Sequence, residues 1–141
     1  MSGPTVIVDT NVFISARNRG EPGHRSCREF LDRVDRGLFR VILSTVTVAE
    51  IRAGMTDEDA VLAWRDMLTH FLTSPDYRVE PLDVEVAEAA GALSASSALT
   101  LPDAVIVTTG HLRGATSLVT QDQKIARRQT LLKVQSPTDL A

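Results

Sequence analysis

The sequence predicts an α/β fold, a three-layer α/β/α sandwich in which helices cover both faces of a mainly parallel central sheet. Two observations predict it: short apolar runs rich in β-branched residues alternate with helical segments, and no repeat or long linker interrupts the alternation. The 141 residues are 43% hydrophobic and 23% charged, which argues against a disordered chain and suits a single domain over residues 1–141.

The elements of the N-terminal half follow from local composition. Residues 5–8 are apolar and mostly β-branched, as strands are, and the run ends at a charged residue, Asp9. A helix is predicted from about Asn11, a strand over 39–43 and a helix over 45–55. Two further segments carry apolar residues at helical spacing, so these residues are expected to point inward. They are Cys27, Phe30, Leu31, Val34 and Leu38 on the first segment, and Val61, Trp64, Leu68, Phe71 and Leu72 on the second.

The C-terminal half continues the alternation. A strand over 77–82 leads into a helix that Asp83 caps. Pro102 opens a further helix, because proline is tolerated in a first helical turn. The pattern is completed by strands over 116–120 and 132–135. In parallel sheets, ligands bind beyond the carboxyl ends of the strands, so the residues that follow strands are the candidates for function.

The charged residues are unevenly distributed. Fifteen Lys and Arg against 18 Asp and Glu give a formal charge of −3, which argues at first against a nucleic-acid partner. However, residues 17–40 hold seven Arg against four acids, residues 41–103 three Arg against eleven acids, and residues 111–133 five cations against Asp122 alone. Two basic segments therefore flank an acidic middle, and arginine binds phosphate groups in a bidentate way. A general preference for arginine on solvated helix faces explains the same pattern equally well.

Four carboxylates stand out by their positions. Asp9 and Asp122 each follow a predicted strand. Glu50 is the sole acid between residues 39 and 55, on a helix expected to be largely buried, where an unpaired charge is costly. Asp103 is the one charge at the start of an otherwise apolar helix. Taken singly, each also has an ordinary role, a cap or turn for the three aspartates and a solvent-facing stripe for the glutamate.

Taken together, the four carboxylates indicate a metal site. All are compatible with one end of the sheet, where converging carboxylates raise one another's pKa unless a counter-charge is present. Oxygen ligands favour Mg²⁺ or Mn²⁺, as one or two ions, rather than zinc. Cys27 is the single cysteine, which excludes a cysteine-cluster metal site. Magnesium keeps several waters, one of which can attack a phosphate.

These motifs resemble those of a known family. The resemblance rests on Asp9-Thr10-Asn11, on Glu50 in the helix after the second strand, on Leu101-Pro102-Asp103-Ala104-Val105-Ile106 and on Val119-Thr120-Gln121-Asp122. In order and spacing, across nearly the whole chain, these segments resemble the PIN-domain ribonucleases, and most closely the VapC toxins of type II toxin–antitoxin systems. There are two departures. Ile125 stands where many relatives have an aromatic residue, and ten of the twelve residues over 87–98 are Ala, Gly or Ser.

The resemblance implies a Mg²⁺- or Mn²⁺-dependent endoribonuclease that leaves 5′-phosphate and 3′-hydroxyl ends. It also implies a homodimer and inhibition by a cognate antitoxin. The family's acidic quartet, which is catalytic and binds metal, maps onto Asp9, Glu50, Asp103 and Asp122. The residues expected to orient these carboxylates are Thr10, Asn11 and Thr120, although capping of the adjacent helices explains them equally well.

RNA binding is expected to be electrostatic and sensitive to salt. The six aromatic residues mostly have core-like spacing, which leaves few for base stacking. The candidate RNA-binding residues are Arg17, Arg19, Arg25, Arg113, Lys124, Arg127 and Arg128.

Two other interpretations remain open. A haloacid-dehalogenase-like phosphatase also has an aspartate after its first strand, but Asn11 stands where that family has a second acid. A catalytically silent module that binds RNA or an antitoxin would show RNA affinity without metal-dependent cleavage. No apolar run approaches the roughly 20 residues of a membrane span, and no signal peptide precedes the first strand. A cytoplasmic location is therefore the default expectation.

Overall fold

The computed structural model describes residues 3–140 and contains a five-stranded sheet in which all neighbouring strands are parallel. The strands are β1 Thr5–Val8, β2 Arg40–Ser44, β3 Tyr77–Glu80, β4 Ser117–Val119 and β5 Lys133–Gln135. Their order across the sheet is β3-β2-β1-β4-β5. The predicted α/β fold is confirmed. Met1, Ser2 and Ala141 of the predicted 1–141 domain lie outside the described residues.

Helices accompany the strands on both faces of the sheet. The α-helices are α1 Thr10–Arg17, α2 His24–Asp35, α3 Thr45–Ala53, α4 Glu58–Thr73, α5 Val84–Ser96 and α6 Leu101–Arg113. Two short 3₁₀ helices follow at Gln123–Arg127 and Thr138–Leu140. No helix within residues 3–140 has both the length and the apolarity needed to cross a bilayer.

Alternate residues of the central strands face opposite layers. Val6 and Val8 of β1 pack with α1, α2 and α4, whereas Ile7 packs with α5 and α6. β2 repeats the alternation, with Leu43 on the first side and Ile42 on the second. Each of these side chains is almost fully buried, and such burial stabilises the fold by about 1.5–3 kcal/mol per residue. The period-2 sequence pattern therefore produces two apolar cores, one in each helical layer.

Helix α6 is the central element of the second layer. Its residues 104–110 are all buried, since the helix lies between the sheet and α5. The contact with the sheet is close at Gly110, where a Cβ atom would lie 2.5 Å from Ile7 Cγ2. Thr100 caps the helix and Pro102 lies in its first turn, so the helix begins one residue before the predicted start. This packing holds the first turn of α6, which carries Asp103, in a fixed place.

The parallel arrangement brings the ends of β1, β2 and β4 to one edge of the sheet. Val8 pairs with Val119, and the N–H of Asp9 donates to Val119 O at 2.9 Å, so the segments after β1 and β4 start side by side. From β1 the chain passes through helices of the first layer to β2, and it reaches β4 through helices of the second layer. Ligands of open parallel sheets bind at such a reversal.

Two residues predicted to point inward are exposed. Leu38 is 49% exposed because α2 ends at Asp35, before the apolar repeat does. Leu72 is 64% exposed, and the buried face of α4 is formed by Trp64 and Phe71 instead. Apolar spacing alone did not show where each helix ends or how wide its buried face is.

Some predicted boundaries also differ. β3 ends at Glu80, two residues before the predicted end, because the following Pro81 has no N–H to donate to a ladder. The sequence predicts a largely buried α3, but only Thr47 and Ile51 of that helix are buried. The helix lies at the edge of the sheet, where much of its surface faces solvent.

Candidate metal centre at the carboxyl edge of the sheet

Asp9 is a buried carboxylate at the junction of β1 and α1. It is 6% exposed and serves as the N-cap of α1, where Oδ1 accepts from the N–H of Thr10 at 2.8 Å. Oδ2 accepts from the hydroxyl of Thr120 at 2.7 Å and from the Asn11 side-chain amide at 3.3 Å. The capping explanation for Asp9 is therefore correct as far as it goes. It leaves the carboxylate at the open edge of the sheet with hydroxyl and amide partners.

Thr120 connects the two strand ends. Its hydroxyl donates to Asp9, and the same oxygen accepts from the backbone N–H of Asp122 at 2.9 Å. The Asn11 amide lies 3.2 Å from this oxygen as a further donor. Thr10, Asn11 and Thr120 thus all donate hydrogen bonds to the carboxylate of Asp9, from the segments that follow two strands.

Glu50 reaches the same edge from α3. The hydroxyl of Thr10 donates to Glu50 Oε1 at 2.6 Å and also lies 3.0 Å from the hydroxyl of the buried Thr47. Glu50 itself is exposed, as the solvent-facing interpretation predicts. Because the N–H of Thr10 also donates to Asp9, this one threonine donates hydrogen bonds to two carboxylates from different segments.

Asp103 and Asp122 approach from α6 and from the segment after β4. Asp103 lies in the first turn of α6, where its N–H donates to the hydroxyl of Thr100 at 3.4 Å. Asp122 precedes a 3₁₀ helix and accepts from the N–H of Lys124 at 3.0 Å. Both side chains are half-buried. Asp103 and Asp122 therefore have the capping and turn roles considered for them. The two residues also lie at the same edge of the sheet as Asp9 and Glu50.

The electrostatics show that the four carboxylates are close enough to affect one another. Burial, together with the charges of Asp103 and Glu50, raises the pKa of Asp9 to about 6, although hydrogen bonds from Thr120 and Thr10 oppose the shift. Burial also raises the pKa of Asp103, and the charges of Asp122 and Glu50 add to that effect.

No ion pair formed within residues 3–140 includes any of the four carboxylates. The cluster therefore carries negative charge that no described ion pair balances, which is costly in a partly buried place. Oxygen donors without a basic partner fit a hard divalent cation. In the described part of the chain, no group of three His, Cys, Asp or Glu side chains is close enough to bind one metal ion as it stands. Binding therefore requires rotation of the exposed or half-buried side chains towards Asp9.

The candidate RNA-binding residues differ in their exposure and in their partners. Arg19, Lys124, Arg127 and Arg128 are exposed, and the charge of Arg128 lowers the pKa of Asp103, which places it near the cluster. Arg25 is exposed and pairs with Glu29 at 3.1 Å within α2. Arg17 is half-buried and donates to the sulfur of Met55.

Arg113 lies in a different environment. Its guanidinium contacts Asp83 at 2.9 Å, Glu85 at 3.0 Å and Glu80 at 3.9 Å, and only 24% of the side chain is exposed. Because three carboxylates already surround this cation, it is poorly placed to bind phosphate. Arg113, a candidate from the sequence, is therefore better explained as the cation of this acidic cluster than as an RNA-binding residue.

The sequence did not reveal two polar residues that complete the network. Thr47 is fully buried on α3 and contacts Thr10, and the only signal was a polar residue among apolar neighbours. Gln121 lies between Thr120 and Asp122 and bonds to Ser15 and Asn11 of α1. Its side chain joins segments more than a hundred residues apart, which no local pattern encodes.

The chain resembles known proteins in sequence pattern and in fold. A family model described as PIN domain matches residues 6–131. No curated protein matches the chain by sequence.

Several solved structures share the fold. One is a toxin–antitoxin complex from Klebsiella pneumoniae, with a TM-score of 0.71 and 23% identity over 94% of this chain and 97% of that chain. A second is VapBC2 from Rickettsia felis bound to a DNA fragment from their promoter, with a TM-score of 0.69 and 17% identity over 94% and 98% of the two chains. A third is DNA-bound VapBC from Salmonella typhimurium, with a TM-score of 0.69 and 19% identity over 95% and 98%. At these identities the likeness is one of fold.

Proposed function

This chain belongs to the PIN-domain family, and we propose that it is a metal-dependent endoribonuclease that acts as the toxin of a toxin–antitoxin pair. Family membership supports a hydrolase of the nuclease class. The metal, the RNA substrate and the antitoxin are our inference.

The observation that carries the proposal is the unpaired carboxylate cluster. Asp9, Glu50, Asp103 and Asp122 come from four separate segments to the edge where the sheet order reverses, and the described ion pairs do not include them. Burial and mutual repulsion raise the pKa of Asp9 and of Asp103. A fold keeps such an arrangement at a cost in stability, which a bound cation removes.

In this proposal, Asp9, Glu50 and Asp103 hold the principal Mg²⁺ or Mn²⁺ ion, and Asp122 completes the site or helps to hold a second ion. Such an ion supplies a water activated for attack on phosphate and stabilises the charge that develops on the phosphate oxygens. The hydroxyl of Thr120, together with the Asn11 amide, keeps Asp9 turned towards the open edge.

The substrate is proposed to be RNA, bound through its phosphates. The proposed cations come from two segments. Arg17, Arg19 and Arg25 precede or open α2, and Lys124, Arg127 and Arg128 follow Asp122. Binding through phosphates releases counterions, so the affinity is expected to fall steeply with salt.

The partner is proposed to be a cognate antitoxin, and the assembly to include a homodimer. Support for the antitoxin comes from the fold neighbours, which are toxin–antitoxin complexes. The chain also exposes large apolar side chains that a partner would cover, among them Ile14 at 38%, Leu62 at 57% and Leu72 at 64%.

The test is cleavage of total cellular RNA by the wild type and by Asp9→Asn, each with Mg²⁺, with Mn²⁺ and with EDTA. We expect cleavage by the wild type with either metal, no cleavage in EDTA and none by the variant. The new ends are mapped, and 5′-phosphate with 3′-hydroxyl is expected.

Asp57→Asn serves as the matched control. Asp57 caps α4 through Ala60 as Asp9 caps α1, and it does not contribute to the pKa of Asp9 or Asp103. The control should cleave like the wild type. Unchanged cleavage by Asp9→Asn, or cleavage in EDTA, would contradict the proposal. RNA binding without cleavage would favour the silent binding module instead.

A further inference from the structure

Gln121 is held in place at three points on α1. Its backbone N–H donates to Asn11 Oδ1 at 3.2 Å, and its side-chain amide donates to Ser15 Oγ at 2.7 Å and to Asn11 O at 3.4 Å. Ser15 is buried, with 4% exposure. The side chain therefore extends along α1, away from the four carboxylates.

The start of α2 also lies close to the side chain of Gln121. Gly23 has a φ of +77°, and a Cβ atom there would lie 1.9 Å from Gln121 Oε1. The backbone of Gly23 thus approaches the glutamine as closely as only glycine allows. The ring Nδ1 of His24 lies 2.8 Å from Ser15 O, which fixes the start of α2 against the same turn of α1.

Gln121 lies directly between two residues of the candidate metal centre. Thr120 binds Asp9, and the N–H of Asp122 binds the Thr120 hydroxyl. The Asn11 side chain that accepts from Gln121 also donates to Asp9 and Thr120. Any movement of Gln121 off α1 consequently shifts the hydrogen bonds that orient Asp9 and Asp122.

We propose that Gln121 is a positioning residue, which fixes the segment Thr120–Asp122 on α1 and so sets the affinity of the centre for its divalent ion. The proposal rests on the proposed function and deepens it. Gln121 does not bind the ion itself, because its amide is engaged on the far side of the segment. Without that side chain the segment has more conformations available, and ion binding must order it.

The experiment titrates the full-length protein with Mg²⁺ and with Mn²⁺ by calorimetry in the absence of RNA. We expect Gln121→Ala to raise the Kd for the ion about 10-fold, the lower end of what residues that orient ligands contribute. Gln121→Glu keeps the length but replaces the donor by a carboxylate facing Asn11 O, so the same loss is expected. Ser15→Ala should raise the Kd less, and the double variant should bind no more weakly than Gln121→Ala.

Thr116→Ala is the matched control. Thr116 donates one side-chain hydrogen bond to Thr5 O at 3.1 Å at the opposite edge of the sheet, so its loss should leave the Kd unchanged. Melting temperatures are measured with and without Mg²⁺ for all variants. A smaller Mg²⁺-induced increase for Gln121→Ala supports the proposal.

A purely structural role gives a different result. Gln121→Ala would then melt lower by the same amount with and without Mg²⁺, and its Kd would equal that of the wild type; this outcome overturns the positioning role while leaving the proposed function intact. A wild type that binds neither ion overturns both.

Discussion

The two ends of helix α6 carry acidic clusters of opposite character. At the C-terminal end, Glu80, Asp83 and Glu85 surround the guanidinium of Arg113. At the N-terminal end, Asp103 joins three other carboxylates, and in the described structure no lysine or arginine pairs with any of the four. One helix therefore connects a cluster that is paired with an arginine of the chain and a cluster whose carboxylates form none of the described ion pairs.

This difference gives a physical criterion for separating acids that stabilise the fold from candidate functional acids. A carboxylate that is balanced by an arginine contributes to stability, modestly when it is exposed. A buried carboxylate that is left unbalanced lowers stability, and a fold retains it only for another purpose. The number of acids is similar at the two ends, so the presence of an internal cation is the distinguishing feature.

The largest effect is expected from removing one charge at each end of α6. Asp103→Asn should lower the rate of RNA cleavage by more than about 100-fold, because the bound ion supplies several kcal/mol of charge stabilisation and about 1.4 kcal/mol corresponds to tenfold. Arg113→Ala should retain cleavage but lower the free energy of unfolding by about 1–2 kcal/mol, a range reduced for the exposure of its partners. Cleavage assays and denaturant unfolding measure the two. If Arg113→Ala is fully folded but does not cleave RNA, the distinction between the two acidic clusters is wrong.

A smaller effect concerns the cost of the unbalanced charge at Asp9. Its pKa is about 6 in the folded protein and 3.8 in the reference state. Since the folded value is higher, the protonated form is favoured by folding, and stability is lost as the pH rises from about 4 to about 6. In the absence of metal, the free energy of unfolding of Asp9→Asn should therefore exceed that of the wild type by about 1–3 kcal/mol at pH 7.5. At pH 3.5 the two proteins should differ little.

The measurement is denaturant unfolding in EDTA at both pH values. Adding Mg²⁺ should stabilise the wild type and leave Asp9→Asn unchanged. A variant that is less stable than the wild type at pH 7.5 would show that the charge of Asp9 is already balanced within the chain.

The smallest effect distinguishes the arginines. Arg128→Ala removes an exposed cation whose charge reaches Asp103, so RNA should bind a few-fold more weakly. The slope of log K against log salt should decrease by about 0.7, the value for one phosphate contact on a single strand. Arg113→Ala should leave the slope unchanged. A similar decrease in both variants would restore Arg113 to the RNA-binding residues that the sequence predicted.

The positions of the site residues could be predicted because they follow from local patterns. A β-branched run that ends in an acid places Asp9 and Asp122 after strands, and the strand order of an α/β fold then brings them to one edge. The roles of Thr47 and Gln121 could not be predicted, since their partners lie on other segments. The pairing of Arg113 was hidden for the same reason: a count of charges in a segment does not show which of them touch.

The parallel sheet has a consequence for synthesis of the chain. Asp9 leaves the ribosome 111 residues before Thr120, its hydrogen-bond partner in the segment that follows β4, and β4 itself pairs with β1. The edge of β1 stays open until then, and contacts between such distant segments form slowly. The four carboxylates therefore come together only after the segment that follows β4 has been synthesised.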